Sequence, residues 1–203
     1  MKRTPPEMQF KITLLNSNPL IWRRIEVPNG YSFWDLHVAI QDSMGWLDYH
    51  LHEFRIPGPK GRICIGIPDE DRPDGVLPCW EVRIMDYFRE PGTLALYEYD
   101  FGDGWLHDVA FEGIRFNKPG IKLPRCTGGE RACPPEDCGS ISGYAELVEI
   151  LKNPRHRRYT DIVGWLKGHA KNYWPYDPLA FNPRKVRFDD PRERLKIAFE
   201  GRK

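Results

Sequence analysis

No stretch of the chain approaches the ~18 consecutive apolar residues that a membrane-spanning helix needs, so a helical membrane protein is excluded. The N-terminal MKRTPPEMQF carries positive charge with no apolar segment behind it, so it does not read as a secretory signal; residues 1–7 are expected to be a short disordered lead-in. A Walker loop, a dinucleotide glycine signature and a nucleophile elbow are all missing, as are internal repeats and low-complexity tracts. Cysteine is sparse. Five residues (Cys64, Cys79, Cys126, Cys133, Cys138) make an odd number in a chain too large to need disulfide staples, which points to a reducing, cytoplasmic setting. Neither sign of charge dominates, the formal net charge being +1.

What is present suits one domain. The 203 residues are 40% hydrophobic and include seven Trp, enough to bury a core. The 19 Pro and 18 Gly imply many turns. The near-neutral total conceals an asymmetry: residues 152–203 hold 14 Lys/Arg against 6 Asp/Glu, and the rest of the chain is net acidic. A basic end can meet an anionic partner, or the two halves can simply attract each other.

Met8–Leu15 alternates apolar and polar residues as a half-buried strand does. Asn16–Pro19 is turn chemistry, and Leu20–Val27 reads as its partner strand, with Ile21, Ile25 and Val27 on one face. Ser32 and Asp35 open a helix that carries Phe33, Leu36, His37, Ile40 and Met44 at helical spacing and stops at Gly45. His50–Ile56 alternates again; Ile63–Ile67 is a short strand, Pro68–Pro78 a charged loop, and Trp80–Phe88 is ambiguous between strand and helix. Leu94–Tyr99 and Trp105–Phe116 are strands joined by a hairpin loop over Asp100–Gly104. Residues 117–142 form a long connection rich in Pro, Gly and Cys. Helices follow over Tyr144–Leu151, Asp161–Lys167 and Pro191–Phe199. The expected organisation is a single domain over 1–203, with a sheet-rich core over 8–116 and a helical, basic portion over 143–203. Strands followed by helices indicate an α+β fold.

Several phrases occur in order: IWRRIEVP (Ile21–Pro28), SFWDLHVAIQDSMGW (Ser32–Trp46), HLHEF (His50–Phe54), YEYDFGDGWLHD (Tyr97–Asp108), ERACPPEDCG (Glu130–Gly139) and Gly143-Tyr144. Together they resemble the plasmid pRiA4b ORF-3-like family from about Phe10 to about Phe181. The resemblance implies an α+β roll with a mainly antiparallel sheet, a helix after the first hairpin and helices in the C-terminal third. It also implies a setting on plasmids and transposable elements, where some members are labelled resolvases. Serine recombination needs an activated serine amid arginines, and no Ser in this sequence has that setting. The resemblance implies no known activity.

Three groups of residues carry chemistry. His50 and His52, two apart on a strand, share a face; with His107 they make a three-histidine set for zinc or another divalent ion, Asp100 or Asp103 serving as further ligand or base. The same parity places His50 and His52 beside Phe54 and Ile56, and His107 beside Trp105, Val109 and Phe111, so these rings are read rather as lining the polar margin of a core, hydrogen-bonded to the carboxylates. Cys126, Cys133 and Cys138 offer three thiols for a structural zinc, with His156 or His169 as a remote fourth ligand; idle buried thiols are the alternative. The runs Arg155–Arg158 and Arg184–Arg187, with Tyr159, Trp165, Tyr173, Trp174 and Tyr176 between them, have the ingredients of a nucleic-acid surface.

The leading expectation is a non-catalytic binding or accessory module associated with mobile DNA. Its pocket is expected around Tyr99, Asp100, Asp103, Trp105, Glu136 and Asp137, with no residue assigned to catalysis. The alternatives are a metal-dependent hydrolase using the His/Asp set, with zinc as its cofactor, and a nucleic-acid-binding accessory protein.

Overall fold

The structure, a computed structural model, describes residues 6–59, 61–68, 75–116 and 120–200. Strands β1 (Glu7–Leu14) and β2 (Ile21–Pro28) form the first hairpin, and helix α1 (Phe33–Met44) follows. Next come β3 (His52–Gly58), β4 (Gly61–Gly66), the short β5 (Leu77–Pro78), β6 (Leu94–Tyr99), β7 (Trp105–Arg115) and β8 (Arg125–Glu130). The chain ends in α2 (Ser140–Lys152), α3 (Tyr159–Gly168) and α4 (Pro191–Glu200). The strands build one eight-stranded sheet in the order β5-β4-β3-β6-β7-β1-β2-β8. Every pairing is antiparallel except β4 with β5. The α+β class with a mainly antiparallel sheet is therefore as expected.

Alternation in β1 and β2 turns Phe10, Ile12, Leu14, Ile21, Ile25 and Val27 inward, all nearly inaccessible to solvent. Phe33, Leu36 and Ile40 of α1 are buried with them, and edge-to-face rings tie helix to sheet: the Phe33 and Phe54 centroids are 5.1 Å apart. The capping box read from sequence forms as drawn: Ser32 Oγ accepts from the Asp35 amide at 3.2 Å, and an Asp35 carboxylate oxygen accepts from the Ser32 amide at 2.8 Å. Gly45 closes the helix at φ 92°. Replacing Ser32 by Ala should cost about 1 kcal/mol, read as a lower urea midpoint with an unchanged m-value.

Sheet and helix are also joined by Arg23, whose side chain is 1% exposed. Its Nε donates to the Ser43 carbonyl (2.9 Å), and its Nη1 donates to the Trp22 and Glu130 carbonyls (2.8 and 2.9 Å). The guanidinium lies 3.8 Å from the Phe181 ring centroid.

Several expectations are corrected. Glu7 already belongs to β1, so the lead-in does not extend over it; residues 1–5 lie outside the described residues. The 117–142 connection contains β8, which pairs with β2. Its sequence RCTGGE shows no alternation because two glycines admit neighbours: a Cβ on Gly129 would stand 2.4 Å from a Phe181 ring carbon and 2.8 Å from the Trp22 carbonyl oxygen. Trp80–Phe88 is neither strand nor α-helix and holds a single 3-10 turn, Ile84–Asp86. The expected loop over Pro68–Pro78 ends in β5, while its residues 69–74 lie outside the described residues. The first C-terminal helix starts at Ser140, a turn earlier than its apolar spacing suggests.

Candidate functional site

The β6–β7 turn is built by Asp100. Its backbone carbonyl accepts from the Gly104 amide (2.6 Å), and its side-chain Oδ1 accepts from the Gly102 and Asp103 amides (3.0 and 3.3 Å). Such self-bonding is what favours Asp at turns. The turn is tied to two other segments. The Asp100 amide donates to the Leu51 carbonyl (3.0 Å), and Asp103 Oδ2 accepts from the Gly139 amide (3.1 Å). Beneath it, the buried Tyr99 hydroxyl donates to Glu136 Oε1 and accepts from the Tyr49 amide (3.0 Å), while Glu136 Oε2 accepts from the Leu47 amide (2.6 Å). Burial, then the Glu136 carboxylate, raises the Tyr99 pKa far above the ordinary phenol value. The expected pocket residues thus divide into two sets. Tyr99, Glu136 and the fully buried Trp105 are interior, Asp100 is buried at the top of the turn, Asp103 is half-buried and Asp137 is exposed.

His50 joins that upper set. Its Nε2 lies 3.0 Å from Asp137 Oδ1 and 3.6 Å from Asp100 Oδ2, and Asp137 Oδ2 lies 3.7 Å from His169 Nε2. Among the described residues, His50, Asp100 and Asp137 form the one group of three such side chains whose donor atoms all lie within 4.8 Å of one another.

The expected three-histidine set is not brought together. His50 precedes β3, so strand parity does not carry it to the face of His52. His52 instead lies inside, stacked on His37 with ring centroids 3.5 Å apart and planes 8° from parallel. His107 is also fully buried, edge-on to Trp46 at 5.4 Å. His52 finds no hydrogen-bond partner among the described residues, and His107 has only the backbone of Tyr97 and Trp105 near it, short of good hydrogen-bond geometry. Burial pushes both pKa values down, that of His107 to about 3; the His37 ring is a further cause for His52. The cysteines do not gather either. Cys126 Sγ donates to the Gly128 carbonyl (3.3 Å), and burial raises the Cys133 thiol to about 12 and the Cys138 thiol further. His156 accepts from the Arg158 amide (3.2 Å), and His169 serves Asp137.

A buried network runs through the core below the site. Gln41 Nε2 donates to the Tyr97 hydroxyl (2.9 Å), which lies 2.8 Å from His37 Nδ1, and His37 Nε2 lies 2.8 Å from Asp48 Oδ1. Since ionised Asp48 can only accept, His37 donates to it from Nε2. Arg194 of α4 ends the chain by pairing with Asp48 (3.3 Å) and Asp42 (2.7 Å). The sequence singled out neither Arg23 nor this network. The pattern in α1 placed His37 on its inner face, but nothing local marked its partners.

The basic residues also divide. Arg158 pairs with Glu146 between α2 and α3. Lys185 and Arg187 line a groove of about 1030 Å³ with Arg23, Lys171, Tyr173 and Tyr176. Arg194 there pairs with both Asp42 and Asp189, and Arg23 is buried on backbone carbonyls; Lys171, Lys185 and Arg187 have no carboxylate partner among the described residues, and Asp177 is the remaining acid of the lining.

Fold and site together define an α+β protein with a polar junction at a β-hairpin turn and a cationic groove beside it. The chain belongs to the family described as "Plasmid pRiA4b ORF-3-like protein", whose pattern it matches over residues 6–185. It is similar to the uncharacterized protein y4hQ of Sinorhizobium fredii (strain NBRC 101917 / NGR234), 35% identical over 159 residues that span 78% of this chain and 79% of that protein. The crystal structure of MM3350, a protein of unknown function from Methanosarcina mazei Go1, superposes with a TM-score of 0.78 at 40% identity and covers 90% of this chain and 98% of that one. Among the described residues no helix is long and apolar enough to cross a membrane.

Proposed function

We propose that this protein is a non-catalytic binding module, an accessory of mobile DNA, whose groove takes a phosphate-bearing partner, single-stranded nucleic acid being the form to test. The supporting observation is the charge left over in the groove: Lys171, Lys185 and Arg187 are exposed with no carboxylate partner among the described residues, Arg23 being buried on backbone carbonyls, and the five cations of the lining face three carboxylates, Asp42, Asp177 and Asp189. The Asp177 Oδ1 is itself occupied by the Leu179 amide (2.9 Å). Phosphates entering such a groove release counterions, so affinity falls as salt rises. Cys79, Cys126, Cys133 and Cys138 are free thiols, which fits a cytoplasmic setting.

A labelled oligonucleotide should bind at low salt, with log K falling against log salt at a slope of about −2 for three exposed cations. The double charge reversal Lys185→Glu, Arg187→Glu should weaken binding at least tenfold at low salt. Fluorescence anisotropy across a salt series is the measurement. Absence of binding at low salt, or indifference to the reversal, would sink the reading.

A further inference from the structure

We infer that His50, Asp100 and Asp137 form a binding site for one divalent transition ion, with His169 positioning Asp137. The side chains come from three separate segments: the approach to β3, the β6–β7 turn and the loop before α2. Their separations have the scale an ion imposes. Ligand atoms about 2.0–2.1 Å from a tetrahedral ion stand about 3.4 Å from each other. His50 Nε2 is 3.0 Å from Asp137 Oδ1 and 3.6 Å from Asp100 Oδ2.

Each ligand is held by one atom and offers another. Asp100 Oδ1 is taken by the Gly102 and Asp103 amides, and Oδ2 turns to His50. Asp137 Oδ2 faces His169, and Oδ1 turns to His50. His169 Nδ1 accepts from the Lys171 amide (3.2 Å), so the ring proton sits on Nε2, aimed at Asp137. At 3.7 Å this N–H stands just beyond hydrogen-bond reach of Asp137 Oδ2 and acts on it as an oriented dipole, outside the ligand set itself. The two carboxylates balance a divalent charge, and one imidazole with two carboxylates suits manganese, iron or zinc. The His50 and Asp137 side chains are 31% and 49% exposed and that of Asp100 10%, so an ion here would face solvent on the His50 and Asp137 side.

The site is separate from the groove, so metal binding and oligonucleotide binding can fail independently. The test uses the full chain, freed of metal by chelator and then titrated with Mn2+, which thiols take poorly. Bound Mn2+ is read by electron paramagnetic resonance and the melting temperature by circular dichroism. We expect close to one equivalent per chain and a rise in melting temperature. His50→Gln and Asp100→Asn should each weaken binding a hundredfold or more, and His169→Gln about 10–100-fold. His50→Gln and Asp100→Asn should melt like the wild type in chelator, since the His50 side chain is 31% exposed and Asn tolerates the backbone of a turn; His169, packed against Trp165 and Tyr173, is judged by its Mn2+ affinity at a temperature where the variant is folded. Uptake below about 0.2 equivalents by the wild type, where ligand linkage would predict stabilisation, would overturn the site. So would full uptake by the His50→Gln, Asp137→Asn double variant, because the ion would then sit elsewhere.

Discussion

Replacing Arg23 by Met lowers the unfolding free energy by about 3 kcal/mol. Its charge suggests a surface residue, but strand parity sets it on the inward face with Ile21, Ile25 and Val27. In the fold it is almost inaccessible and donates to three backbone carbonyls. One of these, Ser43, lies in the last turn of α1, which has no basic residue of its own. The helix dipole leaves partial negative charge there, and Arg23 supplies the cation from the neighbouring strand. Another, Glu130, ends β8, so one guanidinium ties the edge strand to the helix. Met fills much of the volume but leaves these carbonyls without donors. Arg23→Lys should recover little, because an ammonium has no planar fork and cannot stack on Phe181 in the same way. Burial lowers the Arg23 pKa, though a guanidinium remains charged at any pH the fold survives. Urea denaturation of both variants is the check. A Met variant within about 0.5 kcal/mol of wild type, the range of ordinary surface changes, would refute the argument.

The inward place of Arg23 follows from strand parity, but its partners Ser43 and Glu130 are remote in the chain. Elements whose causes are local were legible. The α1 capping box lies within four residues, the β1–β2 alternation sets its own register, and the Gly-Asp-Gly content of the β6–β7 turn announces the hairpin. β8 was hidden because its glycines serve contacts with Trp22 and Phe181, remote in the chain. The candidate site was half legible for the same reason. Asp100, Asp103, Glu136 and Asp137 were readable as a group through two motifs. Their meeting with His50 and His169 depends on how loops from distant parts of the chain dock, which no periodicity reports. Parity was right for His52 and His107, which lie inward with apolar neighbours. It misled for His50, where the strand had not yet begun.

Those two inward histidines make the protein acid-sensitive. The unfolded chain titrates them near 6.5, the ordinary value. In the fold, burial holds His52 well below that value and His107 at about 3. Below pH 6.5 the unfolded state therefore binds protons that the native state refuses, and stability falls as the pH drops. Each such histidine contributes a slope of about 1.4 kcal/mol per pH unit until its folded value is reached. For His107 the window runs from about 6.5 to about 3. Above that window the neutral rings contribute their full share. His52 has an added reason to refuse a proton, since its ring lies face to face with His37 at 3.5 Å. Urea midpoints measured from pH 7.5 to 4.5 should decline steeply once below about 6.5. His107→Phe, which keeps an aromatic ring against Trp46 and Tyr97, should remove about one proton from the slope while leaving the pH 7.5 stability little changed or improved. An identical slope in wild type and variant would mean that His107 is not buried neutral.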